Sequence, residues 1–196
     1  AWFNAQQDAI YDFTTEEYFY KTNTSALLSL NLKASPKTSL SVTGLFVNDS
    51  RDGVQDNYGD NWDLGPIYGR RNTLIQNTLA TGQASVNHRL TDIWTLSGSA
   101  GYTKTVGSIP DRAQIMVESQ GGEVPHYQFS PNGITDINRF FADLHDHDMA
   151  THINSNLKPA RIFNEINFGF DVRYKKRKFD ARQIDADAKS IRNLFT

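Results

Sequence analysis

The segment Arg161–Arg182, RIFNEINFGFDVRYKKRKFDAR, decides the fold because the polarity of its residues alternates. Between Ile162 and Tyr174 every even position except Asn164 is apolar or aromatic, and the odd positions from Glu165 onward are polar, charged or glycine. Successive side chains of a β-strand point to opposite faces, so this pattern predicts a strand with one apolar and one polar face. A soluble β-sandwich also has such strands, with the apolar face packed in a core.

Five other segments alternate in the same way and bring the number of predicted strands to six: Ser25–Ser35, Ser39–Asn48, Thr73–Asn87, Trp94–Thr103 and Asp148–Lys158. Short turns join them in three hairpins, at Pro36–Thr38, His88–Asp92 and Pro159–Ala160. Between the hairpins lie two polar segments without a period, Asp49–Arg71 and Val106–Asp146. We expect both to be long loops, with room for a helical turn or two at Ile134–Leu144.

This arrangement of connections predicts the fold class. Short turns at one end of the strands and loops of about twenty to forty residues at the other are typical of outer-membrane barrels, with the short turns on the periplasmic side. Trp94 and Tyr102 share a face and lie about 26 Å apart along one strand, which corresponds to roughly 20 Å of height in a membrane band ~25 Å tall. We therefore expect an all-β, antiparallel up-and-down transmembrane β-barrel, with residues 1–196 forming part of a single barrel domain.

The alternation assigns side chains to the two faces of the barrel wall. Polar side chains suit a water-filled lumen and are costly in a dry core. The residues expected to face lipid or the aromatic girdles are Leu30, Val42, Phe46, Trp94, Tyr102, Phe168, Phe170 and Tyr174. The residues expected to face the lumen are Asn31, Lys33, Gln83, Asn87, Asn154, Asn156, Glu165, Asp171 and Arg173.

Composition and motifs exclude several functions. The net charge of −2 argues against a nucleic-acid partner, because such proteins concentrate positive charge. The absence of cysteine excludes disulfides, cysteine-based zinc sites and thiol nucleophiles. No HExxH helix, GxSxG elbow or glycine-rich phosphate loop is present, so we expect neither an enzyme nor a cofactor. No apolar window is long enough for a membrane-spanning helix.

The first predicted loop contains the candidate ligand-binding residues Tyr58, Asn61, Trp62 and Tyr68. Such residues can stack on and hydrogen-bond a sugar or a chelate, and they can equally anchor a loop at an interface. Five aspartates crowd the same loop at spacings that do not match an EF-hand, and we expect them to be solvated: Asp49, Asp52, Asp56, Asp60 and Asp63.

Three other features suggest binding. His145 and His147 would share a face of a strand and are candidate metal ligands, or else solvated residues at the rim. The run Lys175–Lys178 is expected to solvate the outer end of its strand or to meet anionic lipid headgroups. A set of small residues suits either lipid contact or a partner protein docked within the outer membrane, namely Ala80, Gly82, Ala84, Gly98 and Ala100.

Four segments carry a resemblance to a known family: YTKT (102–105), IPDRAQ (109–114), NRFFADL (138–144) and FGFDVRYKKRKFDAR (168–182). With the order of the hairpins from about Ser25 to Arg182, they resemble the barrel portion of outer-membrane TonB-dependent receptors. In that family ~22 strands surround an N-terminal plug domain. These receptors import scarce nutrients such as iron chelates, cobalamin or glycans, with energy delivered from the inner membrane by a TonB-type transducer.

The resemblance implies a segment of a nutrient receptor in the outer membrane of a Gram-negative bacterium. Six strands are too few to close a barrel, so the remaining strands and the plug are expected outside this sequence. Two alternatives remain open. One is a soluble β-sandwich that binds carbohydrate through the loop from Tyr58 to Tyr68. The other is a barrel subunit that serves as a scaffold in an outer-membrane assembly.

Overall fold

The protein forms one antiparallel β-sheet, seen in a computed structural model that describes residues 2–3, 9–61, 65–119, 127–129, 137–159 and 165–186. The strands are β1 Trp2–Phe3, β2 Ala9–Ser35, β3 Thr38–Asn61, β4 Gly65–Thr91, β5 Trp94–Ser119, β6 Tyr127–Gln128, β7 Ile137–Leu157 and β8 Ile166–Ala186. Their order is β1-β2-β3-β4-β5-β7-β8, with the short β6 paired to β5. The all-β, up-and-down class is confirmed, and the sheet is not closed. Among the described residues, no helix is long and apolar enough to cross a membrane.

The six predicted strands exist, but they are much longer than the alternation indicates. They contain between 21 and 27 residues each. At one end of the sheet, which we call the turn end, residues 36–37, 92–93 and 158–165 connect the strands. At the other end, the far end, the connecting segments are 62–64 and 120–136.

The two predicted polar loops are therefore wrong over most of their length. Nearly all of Asp49–Arg71 belongs to β3 and β4, and Gly65 opens β4 with the positive φ of 73° that a glycine readily adopts. Much of Val106–Asp146 belongs to β5 and β7. The helical turn at Ile134–Leu144 is wrong for residues 137–144, which are strand, while residues 134–136 lie outside the described residues. Backbone pairing with a neighbouring strand stabilises these segments although both of their faces are polar.

The pairing register divides the side chains into two faces. Residues directly opposite one another share a face, and we call such a set across the sheet a row. One row contains Leu30, Val42, Ala84, Ala100, Thr151 and Val172. The adjacent row on the opposite face contains Asn31, Ser41, Ser85, Ser99, His152 and Asp171.

Two grooves, of about 760 and 420 Å³, lie on the polar face of the sheet, the first beside Asn31 and Asn87 and the second between Gln83 and Asp171. We therefore call the face with Asn31 and Asp171 the concave face. The face with Leu30 and Val172 is the convex face.

The described residues contain no hydrophobic core. Ile67 and Ala142 are their only buried apolar residues, whereas Leu30 is 59% exposed, Val42 52% and Phe168 60%. A β-sandwich would cover these side chains with a second sheet. The described part of the chain has one sheet, so the sandwich interpretation lacks its second layer here.

Candidate functional site

The concave face brings together the residues predicted to line a lumen. Asn31 and Asp171 share a row, and Lys33, Asn87 and Asn154 share the next row toward the turn end. Gln83 and Arg173 share the adjacent row on the other side. Asn156 lies on the same face, where its amide donates to Glu165 and to Asn167. All nine predicted residues therefore lie on one face, and its contact with water stays a prediction.

Hydroxyl groups form cross-strand hydrogen bonds over the middle of the concave face. Ser41 and Ser85 are 2.6 Å apart between their oxygens, and Thr81 and Thr103 are 2.8 Å apart. Ser29 and Thr43 add a third contact of 3.2 Å. In each pair, the hydroxyl group of one strand forms a hydrogen bond with a hydroxyl group of the neighbouring strand. These contacts link the strands on their polar face.

On the concave face, β7 and β8 are also linked by ion pairs. Arg173 donates from Nε to Asp148 at 2.9 Å, and Asp146 accepts from Arg177 at 2.6 Å and pairs with Lys175 at 3.1 Å. His152 lies 2.6 Å from Asp171. Asp146 is buried, and both cations contact its Oδ2 atom, whereas its Oδ1 atom has no hydrogen-bond partner among the described residues.

The convex face carries the residues predicted to meet lipid or the girdles. Trp94 shares a row with Leu157 and Ile166, and Tyr102 shares a row with Met149 and Tyr174. Four further predicted residues lie between these two rows: Leu30, Val42, Phe168 and Phe170. Phe46 lies one row beyond Tyr102, toward the far end. We call the zone from the Trp94 row to the Tyr102 row the apolar band. Its contact with lipid stays a prediction.

The apolar band ends at a similar level in all six long strands. The row just beyond Tyr102 toward the far end contains Ala26, Phe46, Ala80, Lys104, His147 and Lys176. The row after it is mostly polar, with Thr24, Asn48, Thr78, Val106, His145 and Lys178. The convex face is thus apolar over a limited height of about 26 Å along the strands. Beyond this height it is mainly polar, with exposed exceptions that include Tyr18, Tyr20 and Ile184.

The predicted ligand-binding residues lie on strands rather than on a loop. Tyr58 of β3 and Tyr68 of β4 are direct partners, with ring centroids 5.4 Å apart, and Tyr127 of β6 lies 5.9 Å from Tyr68. The three rings border a shallow pocket of about 260 Å³ at the far end of the convex face. The side chain of Asn61 and all of Trp62 lie outside the described residues.

An ion pair that the sequence did not indicate supports this tyrosine cluster. Arg70 donates from Nε and Nη2 to both oxygens of Asp56, each at 2.7 Å, and the Tyr68 hydroxyl donates to Asp56 at 3.1 Å. The Arg70 hydrogen bonds hold the pKa of Asp56 below its usual range, although burial opposes this. Burial and the same carboxylate raise the pKa of Tyr68.

The expectation that the loop aspartates are solvated is wrong for Asp56, which is 5% exposed. Its partner Arg70 lies fourteen residues away, and only the hairpin register brings the two together. Asp49 is also paired, with Lys21 and with the Asn23 amide, both at 3.2 Å. Asp63 lies outside the described residues.

His145 and His147 share the convex face, as the alternation predicts. Their direct partners on β8 are Lys178 and Lys176, and the Nδ1 atom of His147 lies 2.6 Å from the Tyr102 hydroxyl. The described residues contain no group of three or more side chains arranged to hold a metal ion. Neighbouring lysines also disfavour a bound cation at the two histidines.

The small residues form a stripe on the convex face. Gly82 shares a row with Gly44 and Tyr102, and Ala84 shares one with Ala100. A Cβ atom placed at Gly82 would have no heavy atom within 4 Å. The stripe is thus open to a lipid chain or to another backbone.

Comparison with protein-family models finds no match for the chain, and comparison with curated protein sequences finds no relative.

Proposed function

We propose that the chain forms part of the wall of a transmembrane β-barrel in the outer membrane of a Gram-negative bacterium, and that this barrel is a TonB-dependent receptor. The receptor imports a scarce nutrient, such as an iron chelate, cobalamin or a glycan, and performs no catalysis. The observation that carries the proposal is the apolar band of limited height on the convex face of a single-layer sheet. The concave face is mainly polar, with Phe19, Leu27 and Phe179 as exposed exceptions.

The exposed apolar side chains require a cover. Leu28, Leu32 and Phe170 are each more than half exposed, as are Leu30, Val42 and Phe168. Each large apolar side chain gains about 1.5–3 kcal/mol when it leaves water. Monomeric soluble proteins rarely expose contiguous apolar patches above a few hundred Å². Acyl chains would cover the whole band at once.

The height of the band supports a membrane as that cover. Trp94 and Tyr102 bound it on β5, and both side chains carry a polar group at an edge. Trp94 Nε1 donates to the Ser155 hydroxyl at 2.8 Å, and the Tyr102 hydroxyl contacts His147. Aromatic residues with a satisfied polar group favour the interface between hydrocarbon and headgroups. With a strand tilt near 40°, the band covers roughly 20 Å of membrane thickness.

The open edges of the sheet support a larger barrel. In the described part of the chain, the 21-residue strand β8 pairs with β7 alone, so its outer edge has unpaired backbone groups. Such groups cost several kcal/mol each in hydrocarbon, and closure of the barrel removes the cost. We assign closure to further strands, as in the family that the sequence resembles. The plug domain would then lie against the concave face, and a TonB-type transducer would act through the plug.

Transport is tested on the full-length protein that contains this segment. We would express it in the outer membrane of a Gram-negative strain that lacks its own receptors and measure uptake of labelled iron chelates, cobalamin and oligosaccharides. The proposal expects uptake of one class, abolished when the proton-motive force is dissipated. A protein that inserts in the outer membrane but imports none of these solutes in an energy-dependent manner would contradict it.

The stripe of small residues favours a second candidate, a scaffold barrel. Gly82 with Ala84 and Ala100 would allow the backbone of another membrane protein to approach closely. A photo-crosslinking amino acid at position 82 tests this in intact cells. A defined protein adduct supports the scaffold function, and crosslinking to lipid alone argues against it.

A further inference from the structure

The basic run Lys175–Lys178 is divided between the two faces of β8. Lys175 and Arg177 lie on the concave face, where both contact Asp146. Lys176 and Lys178 lie on the convex face, opposite His147 and His145. A single stretch of four cations thus contributes to two different electrostatic environments.

The convex-face cations belong to a larger cluster. Lys104 of β5 shares a row with His147 and Lys176, and the next row adds His145 and Lys178. We call these five residues the basic cluster. Adjacent strands are ~4.8 Å apart, so Lys104 and Lys176, two strands apart, are separated by about 10 Å between their backbones. Flexible lysine side chains at that spacing can converge on one anionic group.

The charge of the basic cluster is only partly compensated. Its two rows contain no carboxylate across the six long strands, and the next row toward the far end contains Asp143 and Asp180. Within the described residues, Lys104 and Lys176 make no ion pair, whereas Lys178 contacts Asp180 at 2.9 Å. On the opposite face, by contrast, the other two cations of the run, Lys175 and Arg177, both contact Asp146. Repulsion among neighbouring cations without counter-charges favours binding of an anion.

The position of the basic cluster indicates the kind of anion. It lies immediately beyond the row of Tyr102, Met149 and Tyr174, at the end of the apolar band. On β5, β7 and β8, the convex face therefore changes from the apolar rows that contain Phe168 and Phe170 to the row of Tyr102 and Tyr174 and then to cationic side chains. A membrane lipid changes in the same order, from acyl chain to interfacial polar groups to headgroup phosphate.

We propose that the basic cluster binds the phosphate of a phosphorylated lipid in the leaflet at the far end of the strands, while the acyl chains of that lipid cover the apolar band. This inference rests on the proposed membrane-embedded barrel. Lys104 and Lys176 supply the principal charge, and His147, held by Tyr102, borders the site.

The test uses the full-length protein in neutral detergent micelles, titrated with diphosphoryl lipid A and followed by native mass spectrometry. We expect retained lipid A, with the affinity reduced about 30-fold in the double variant Lys104→Gln/Lys176→Gln, since each lysine near an anionic lipid contributes roughly a factor of five. The matched control Lys21→Gln/Lys33→Gln removes two charges from the concave face without touching the buried Asp146, and it should leave the affinity unchanged.

Two further probes distinguish the source of the phosphate. Phosphatidylcholine, whose phosphate is balanced by a choline cation, should bind at least ten times more weakly, and millimolar inorganic phosphate should not displace lipid A. Equal loss of affinity in both double variants, equal binding of phosphatidylcholine, or displacement by inorganic phosphate would each overturn the inference. A protein that inserts in membranes but shows one of these results loses only this inference. A protein that does not insert refutes the proposed function as well.

Discussion

Leu30 and Asn31 are neighbours in β2 with side chains on opposite faces, and they test the assignment of those faces at the residue scale. In a membrane, Leu30→Arg should destabilise the folded protein by about 1–3 kcal/mol, because the charge enters the hydrocarbon one row inside the Tyr102 row. Asn31→Arg should change the free energy of unfolding by less than about 1 kcal/mol, since surface-like substitutions have small effects. Reversible urea unfolding from lipid vesicles measures both values.

A depth control refines this experiment. Ala26→Arg lies on the same face of the same strand but in the row of Lys104 and Lys176. Its cost should fall to about 0–1 kcal/mol, as expected near an interface. If Leu30→Arg and Asn31→Arg have equal cost, the two faces share one environment and the membrane assignment is wrong.

Asp56 and Arg70 give a prediction about pH. The Arg70 hydrogen bonds lower the pKa of Asp56 in the folded state. The stabilisation is therefore present above the unfolded-state pKa of ~3.9 and is lost as the pH falls through the folded value. In Arg70→Gln the pKa of Asp56 should rise toward its ordinary value, as measured by NMR titration of the carboxyl carbon.

The control for that titration is Arg71→Gln. Arg71 lies on the opposite face and donates to Gln114, so its loss removes a positive charge nearby without touching Asp56. The pKa of Asp56 should stay low in this variant. An equal rise in both variants would mean that general charge, and not the Arg70 contact, sets the pKa.

Individual side chains were predictable from the sequence where one face is apolar. The alternation assigned Leu30, Asn31 and Phe168 to their faces because a strand has a period of two. Asp56 and Arg70 were missed because their segment is polar on both faces, so hydrophobicity carries no signal there. Only the register of β3 and β4 shows that they are neighbours.

At the scale of the element, the strands exceed the alternating segments because pairing and polarity are separate properties. β2 and β3 pair continuously from Ser35 and Thr38 to Tyr11 and Asn61, although apolar alternation stops near Ala26 and Phe46. Backbone hydrogen bonds continue where both faces are hydrophilic, and cross-strand contacts such as Arg51 with Glu17 at 2.7 Å support them. Alternation therefore located the apolar band and not the ends of the strands.

The absence of a side chain at Gly169 allows β7 and β8 to approach each other closely. A Cβ atom at this position would lie 2.5 Å from the carbonyl oxygen of Ile153 and 3.2 Å from the Cα atom of Asn154. Gly169→Ala should therefore cost about 1–3 kcal/mol, because backbone atoms must move apart. The same unfolding experiment in vesicles measures this cost.

Gly82→Ala provides the comparison within the same sheet. Its added methyl group meets open space, so the variant should be neutral or more stable by up to about 1 kcal/mol through reduced freedom of the unfolded chain. If Gly169→Ala is as well tolerated as Gly82→Ala, the close approach of β7 and β8 at Gly169 does not occur in the folded protein.

The whole molecule inverts the usual distribution of polarity. In the described residues, the buried groups are mainly polar and the large apolar side chains are exposed. The sequence predicted the strand order, because adjacent hairpins form a meander, and it predicted the two faces. It did not predict the short β3–β4 connection, since this depends on pairing between two segments that are polar on both faces.

The central claim is that the convex face of this sheet contacts acyl chains while the concave face contacts water or polar protein. The most direct measurement is a nitroxide scan of β2 from position 26 to 33 in the full-length protein in lipid vesicles. The 196 residues contain no cysteine, so each introduced cysteine is the one label site within this segment. Collision rates with oxygen, which concentrates in hydrocarbon, are compared with those of a water-soluble nickel chelate.

We expect a period of two in this scan. Oxygen should dominate at the convex-face positions Leu28, Leu30 and Leu32, with a smaller excess at Ala26 in the row beyond the apolar band. The nickel chelate should be relatively favoured at the concave-face positions Leu27, Ser29, Asn31 and Lys33. Nickel accessibility at Leu28 and Leu30 equal to that at Ser29 and Asn31 would place both faces in water and contradict the membrane-embedded barrel.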